Sequence, residues 1–180
     1  MDRPTPAWQR KVVAGLRASP SLELAGVRAV PRKRMGAVWR AHRAIERRLF
    51  PIGRDALAVA ELDEAEARAP TDLLIWLSES APPDVDRALR LVHGPAGDDD
   101  AGAAFRRAVA EDAPSLTTEA RLGDRVVART VSAVRPFSAE LGANLARWKA
   151  ADLVVRAAER LPGLDEPVAA STAPAREAPG

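Results

Sequence analysis

The stretch Leu73-Leu74-Ile75-Trp76-Leu77 places five large apolar residues in a row between Pro70 and the segment Ser78–Pro83. So short and continuous a run predicts a strand covered on both faces, the mark of a parallel sheet flanked by helices. Downstream, Asp84–Arg90 reads as a short helix and Leu89–Val92 as a second apolar segment that ends at His93. The loop Gly94-Pro95-Ala96-Gly97-Asp98-Asp99-Asp100 then leads into a helix from Ala101 to about Glu111. Ser115–Arg121 and Arg125–Val134 flank Leu122-Gly123-Asp124, which predicts a hairpin with glycine in its turn. Ser138 is placed to cap a long last helix on which Leu141, Leu145, Trp148 and Val155 share a stripe. Upstream, Thr5 as N-cap and Pro6 at the first helical position open a helix carrying Trp8, Val12 and Leu16 on one side. Leu22–Val30 reads as a strand. A second helix over Gly36–Phe50 sets Val38, His42, Ile45 and Leu49 against an arginine face, and a short helix is expected at Asp63–Ala69.

This order of elements is α/β, a mostly parallel sheet with a late antiparallel hairpin. Residues 1–161 are expected to form one domain, and 162–180, rich in Pro, Ala and small polar residues, a disordered tail. The chain begins with a helix where such a fold begins with a strand. The expectation is that Met1 lies downstream of the natural start, with about five to seven apolar residues encoded ahead of it. Otherwise a protein partner covers the exposed sheet edge.

Composition narrows the function. The chain has 180 residues, 47% of them hydrophobic, and its 27 basic and 25 acidic residues leave a net charge of +2. Such balance draws in no nucleic acid, and the arginines of 36–50 have no interleaved stacking aromatics. Cysteine is absent and there are two histidines, which excludes disulfides, thiolate nucleophiles and His- or Cys-rich metal sites. No apolar run is long enough to span a membrane and no apolar leader opens the chain, so the reading is a soluble cytoplasmic protein. The Asp98-Asp99-Asp100 run suits a helix start better than a divalent cation. The Gly94–Gly97 loop lacks a phosphate-binding spacing, and there is no Gly-x-Ser-x-Gly.

Several segments carry a resemblance: Pro6-Ala7-Trp8-Gln9, Trp39…Glu46-Arg47-Arg48-Leu49-Phe50, Arg54-Asp55-Ala56-Leu57 and Asn144-Leu145-Ala146-Arg147-Trp148-Lys149-Ala150-Ala151. With the order of elements, they make residues 5–161 similar to the three-layer, Rossmann-like formyltransferase fold. That fold is shared by methionyl-tRNA, sugar-amine and glycinamide-ribonucleotide formyltransferases, and the likeness is greatest to a bacterial group of formyltransferase-like proteins. The resemblance implies transfer of a formyl group from 10-formyltetrahydrofolate to a small-molecule amine. An Asn and a His stabilise the tetrahedral oxyanion, and an Asp orients the His and relays the proton. On this sequence the His is His93, and the glycines of the following loop are Gly94 and Gly102, which implies a cofactor-binding role for them. Asp124 is the nearest match to the acid, in a shortened hairpin motif. The Asn position holds Leu91, which donates nothing, and three aspartates replace the family's loop sequence. The active site therefore reads as degenerate. One missing oxyanion donor is worth roughly 10²–10³ in rate, so transferase activity is expected to be weak or lost. The alternative is a non-catalytic protein-interaction or small-ligand-binding module.

Overall fold

The computed structural model describes residues 5–27, 37–50, 53–60, 72–78, 87–135 and 138–161. Its organising element is the last helix, Ala139–Arg160, which Ser138 caps by accepting a hydrogen bond from the Leu141 N–H. The helices are α1 (Ala7–Ala18), α2 (Ala37–Leu49), α3 (Ala101–Ala110) and this one, α4. The strands are β1 (Thr5–Pro6), β2 (Val59–Ala60), β3 (Leu74–Trp76), β4 (Ala88–His93), β5 (Ser115–Leu122) and β6 (Arg125–Ala133).

The side chains that α4 buries are not the expected stripe. Leu145 is 43% exposed, while Ala143, Ala146, Ala150, Ala151, Ala157 and Ala158 are buried. Small residues win because α1 and α3 press close to α4. Gly142 lies under the ring of Phe105 with no room for a Cβ, and a Cβ on Gly15 would stand 2.7 Å from Val155. Alanine faces let helix backbones approach where leucines would hold them apart.

The main sheet has the order β3-β4-β5-β6. β3 pairs parallel with β4, as the Leu73–Leu77 run predicts, with Leu74 opposite Ala88. β4–β5 and β5–β6 are antiparallel. The sheet is thus mixed, and the described strands are not mostly parallel. The reason lies in the link between β4 and β5. Gly94 N–H reaches Thr117 O at 2.8 Å, so β5 starts beside the carboxyl end of β4 and runs back along it. The hairpin turn at Gly123 has φ +57, a left-handed value that glycine adopts without a Cβ penalty.

One face of this sheet is the core. Leu89 and Leu91 of β4 and Ala120 of β5 join Trp8, Val12 and Leu16 of α1 and Leu153 and Val154 of α4 in one apolar cluster. Leu116, on the same face of β5 as Ala120, joins Ala104, Phe105 and Ala108 of α3 and Ala143 and Ala146 of α4 in a second. These three helices share one face, and the described residues do not show a three-layer arrangement.

Other expectations shift for local reasons. Thr5 is not the N-cap of α1, and Pro6 is not its first helical residue. They pair antiparallel with Val59–Ala60, and Pro6, at ψ 146, stands just outside the helix with no side-chain cap. Residues 22–26 form no strand, with a single bridge residue at Val27, and 28–30 lie outside the described residues. The expected helix at 84–90 gives way to β4, which begins at Ala88, while 84–86 lie outside the described residues, as do Asp63–Ala69 and the tail 162–180. β3 is half-buried rather than covered on both faces. On α2, Ile45 and Leu49 are 60% and 66% exposed, so neither of these side chains is buried in the core.

Asn144 ties α4 to the loop at 53–58. Its Oδ1 accepts the Ala56 N–H at 2.7 Å and its Nδ2 donates to the Arg54 carbonyl at 2.9 Å. That carbonyl also accepts the Trp148 indole N–H, but Ala56 is fully buried, so its N–H loses its side-chain acceptor if Asn144 is removed. Asn144→Ala is therefore expected to destabilise the fold by about 1–3 kcal/mol, read as a lower urea midpoint at unchanged slope. An unchanged midpoint would show that the loop does not depend on this clamp.

Candidate functional site

The carboxyl ends of β3 and β4 lie side by side because the two strands are parallel, and that is where open α/β sheets place ligands. A small cavity of about 10 Å³, room for one water-sized group, opens there. It is lined by Trp76, Leu77 and Ser78 from β3 and its end, Leu91 and His93 from β4, Asp99 and Ala101 at the start of α3, Trp8 of α1, and Arg147 and Ala150 of α4. Gln9 fixes α1 against this end of the sheet by donating from Nε2 to the Leu77 carbonyl at 2.7 Å.

His93 is held from both sides. Its backbone exchanges two hydrogen bonds with Asp98, at 2.7 and 3.0 Å, which folds the loop Gly94–Gly97 back on itself. Gly94 and Gly97 take φ +67 and +73 in that loop. The imidazole Nδ1 lies 2.9 Å from Thr118 Oγ1, itself fully buried on β5. With the ring 3% exposed, burial pushes its pKa down from 6.5 to about 4. Arg147 contributes to that lowering and Asp100 opposes it. At neutral pH His93 is an uncharged imidazole.

Two of the three consecutive aspartates are turned toward an arginine. Asp98 Oδ1 lies 3.3 Å from Arg107 Nη2, and Asp100 Oδ1 lies 3.6 Å from Arg147 Nη2. Burial raises the pKa of Asp99, and the charge of Arg90 opposes that rise. Asp100 also caps α3, accepting the Gly102 N–H at 2.7 Å. The acidic run thus begins a helix, as its position suggested, and among the described residues no group of three or more His, Cys, Asp or Glu is arranged to hold a metal ion.

The structure does not gather the candidate residues into one site. His93 and Leu91 line the cavity. Asp124 does not, because its turn follows Leu122, which pairs with Leu89 at the amino end of β4, whereas His93 pairs with Thr118 at the carboxyl end. Four residue steps along β4, about 13 Å, separate those two pairs. Gly94 and Gly102 flank the site as turn and first-turn residues without lining it. What the sequence reading did not single out is Arg147, 5% exposed on a helix face made mostly of alanines. The signal was present: 143, 147, 150 and 154 fall on one helical stripe, and a lone cation among small residues on a buried stripe marks a site.

Fold and site together define a mixed α/β protein with a small cavity, lined by apolar and a few polar side chains, at the carboxyl end of its parallel strand pair. The chain matches no protein-family model, no curated protein and no solved structure. Among the described residues no helix is long and apolar enough to cross a membrane.

Proposed function

We propose that this chain is a formyltransferase-like domain in which formyl transfer from 10-formyltetrahydrofolate to an amine is weak or lost, and whose remaining activity is to bind a small ligand at the carboxyl ends of β3 and β4. The observation that carries the reading is the state of His93. It stands at the end of β4, where the resemblance puts the catalytic histidine, but it is buried and holds no proton to spare at neutral pH. A neutral ring offers an oxyanion less than an imidazolium does. The side chain two residues before it on the same face, Leu91, is apolar and buried, and Asp124 lies at the far end of the sheet. Neither supplies what His93 lacks.

The test is release of tetrahydrofolate from 10-formyltetrahydrofolate across a panel of amines, sugar amines included. Release is expected to match the protein-free rate for every amine. Turnover well above that rate, abolished by His93→Ala, would overturn the reading. A second reading, a non-catalytic protein-interaction module, draws its support from α2, where Ile45 and Leu49 are exposed beside Arg48.

A further inference from the structure

We infer that α2 is a peripheral membrane helix, which lies on the surface of an anionic bilayer with Ile45 and Leu49 at the acyl boundary and its arginines at the phosphate headgroups. This role is independent of the ligand site at the ends of β3 and β4.

Charge supplies the first argument. α2 carries Arg40, Arg43, Arg47 and Arg48 against one acid, Glu46. The other residues of the chain hold 23 basic and 24 acidic groups, so the net charge of +2 comes from this helix. In sequence, Arg32, Lys33 and Arg34 stand just ahead of it with the same sign. Each Lys or Arg near an anionic leaflet adds to the attraction, so charge gathered on one helix concentrates it at such a surface even when the whole chain is nearly balanced.

Amphipathicity supplies the second. Ala41, Ile45 and Leu49 follow at i, i+4 and i+8, and all three are exposed. The helical period puts Arg40 on the far side from Ile45 and Arg48 beside this line, and both are exposed. Among the described elements, none packs on α2 as α1 and α3 pack on α4. An interfacial helix presents this combination, branched apolar side chains downward and cations reaching up to phosphate. With 13 residues, about 20 Å, α2 is shorter than the apolar layer is thick, so it lies on the bilayer rather than through it.

Other occupants fit less well. A nucleic acid engages the arginines but leaves Ile45 and Leu49 in water. A protein groove grips such a helix by large anchors on successive turns, and here the first place in the line is an alanine. A bilayer needs no shape-matched pocket and combines a small apolar contact with charge.

The test is sedimentation of the full chain with vesicles of phosphatidylcholine alone, or of equal parts phosphatidylcholine and phosphatidylglycerol. Binding is expected only to the anionic vesicles, and is expected to fall at least about 10-fold as salt rises from about 0.05 to about 0.5 M. Arg40→Gln and Arg48→Gln are each expected to weaken it about 3- to 5-fold. Ile45→Ala combined with Leu49→Ala is expected to weaken it about 10-fold or more, at an unchanged urea midpoint because both side chains are exposed. The chain has no cysteine, so a polarity-sensitive dye can be attached at single sites. At Ala41→Cys its emission should shift to the blue with anionic vesicles, whereas at Glu111→Cys, exposed at the end of α3, it should not. No binding to anionic vesicles, equal binding to neutral ones, undiminished binding by the Ile45→Ala, Leu49→Ala variant, or a dye response at 111 as large as at 41 would overturn the inference. Capture of duplex DNA or polyglutamate without vesicle binding would overturn it in favour of a nucleic acid or an acidic protein. Tetrahydrofolate release in solution bears only on the functional reading, so the two fail separately.

Discussion

Phe105→Ala is expected to destabilise the fold by about 3–5 kcal/mol, the range for deleting a fully buried aromatic ring from a core that cannot collapse around the gap. Phe105 is 0% exposed, and the cluster around it consists of Ala104, Ala108, Ala143, Ala146 and Leu116. Alanines have no side-chain freedom with which to fill a vacated volume, and Leu116 is fixed in β5. The ring also sits on Gly142, so it sets the spacing of α3 and α4. Urea unfolding of wild type, Phe105→Ala and Phe105→Leu checks the expectation. The leucine variant keeps most of the volume and should lose less than half as much. A loss below about 1 kcal/mol for the alanine variant would mean that the helices close over the gap, contrary to the contact at Gly142.

Stability is expected to fall as pH drops from about 6.5 to about 4, by on the order of 3 kcal/mol from His93 alone. In the unfolded chain this histidine takes up a proton near its ordinary value of 6.5, whereas the folded chain resists protonation until about 4, chiefly because the ring is buried and then because Arg147 is near. Between those values the unfolded state binds more protons, so acid favours unfolding; above 6.5 the ring is neutral in both states and adds no slope. Carboxylates add their own pH dependence below about 5, so the comparison is with His93→Gln, which can still meet Thr118 but does not titrate. Between pH 7 and pH 5 the wild type should lose about 2 kcal/mol more than the variant. Parallel curves for the two proteins would show that His93 is not held neutral by burial.

Patterning and turn chemistry made much of this architecture readable. The apolar run at 73–77, the hairpin around Gly123, the helix starts at Asp100 and Ser138 and the buried stripe Trp8, Val12, Leu16 all follow from local rules, and the structure places them accordingly. Direction was less legible. Whether β5 runs parallel or antiparallel to β4 depends on where α3 returns the chain, which no local pattern in 94–115 encodes. The buried face of α4 was misjudged because hydrophobic size favoured Leu145 and Trp148, while close helix packing favoured alanine and glycine. The candidate site was half legible. His93 stands out as a polar residue ending an apolar strand, but its partners Thr118, Arg147 and Trp8 are 25, 54 and 85 residues away.

The sequence by itself determined the classes of chemistry open to this protein. Without cysteine, with two histidines and near-balanced charge, it has no thiolate, disulfide or histidine-rich metal chemistry and no long-range field. It determined the alternation of helix and strand for the same reason that periodicity reports local geometry, since side-chain spacing is set by the backbone within a few residues. Only the tertiary structure decided that His93 is neutral, that Asp98 and Asp100 of the acidic run face arginines, and that Arg147 stands in a cavity at the ends of two parallel strands. Desolvation and Coulomb interaction depend on distances between elements remote in sequence, and those distances exist only once the chain has folded.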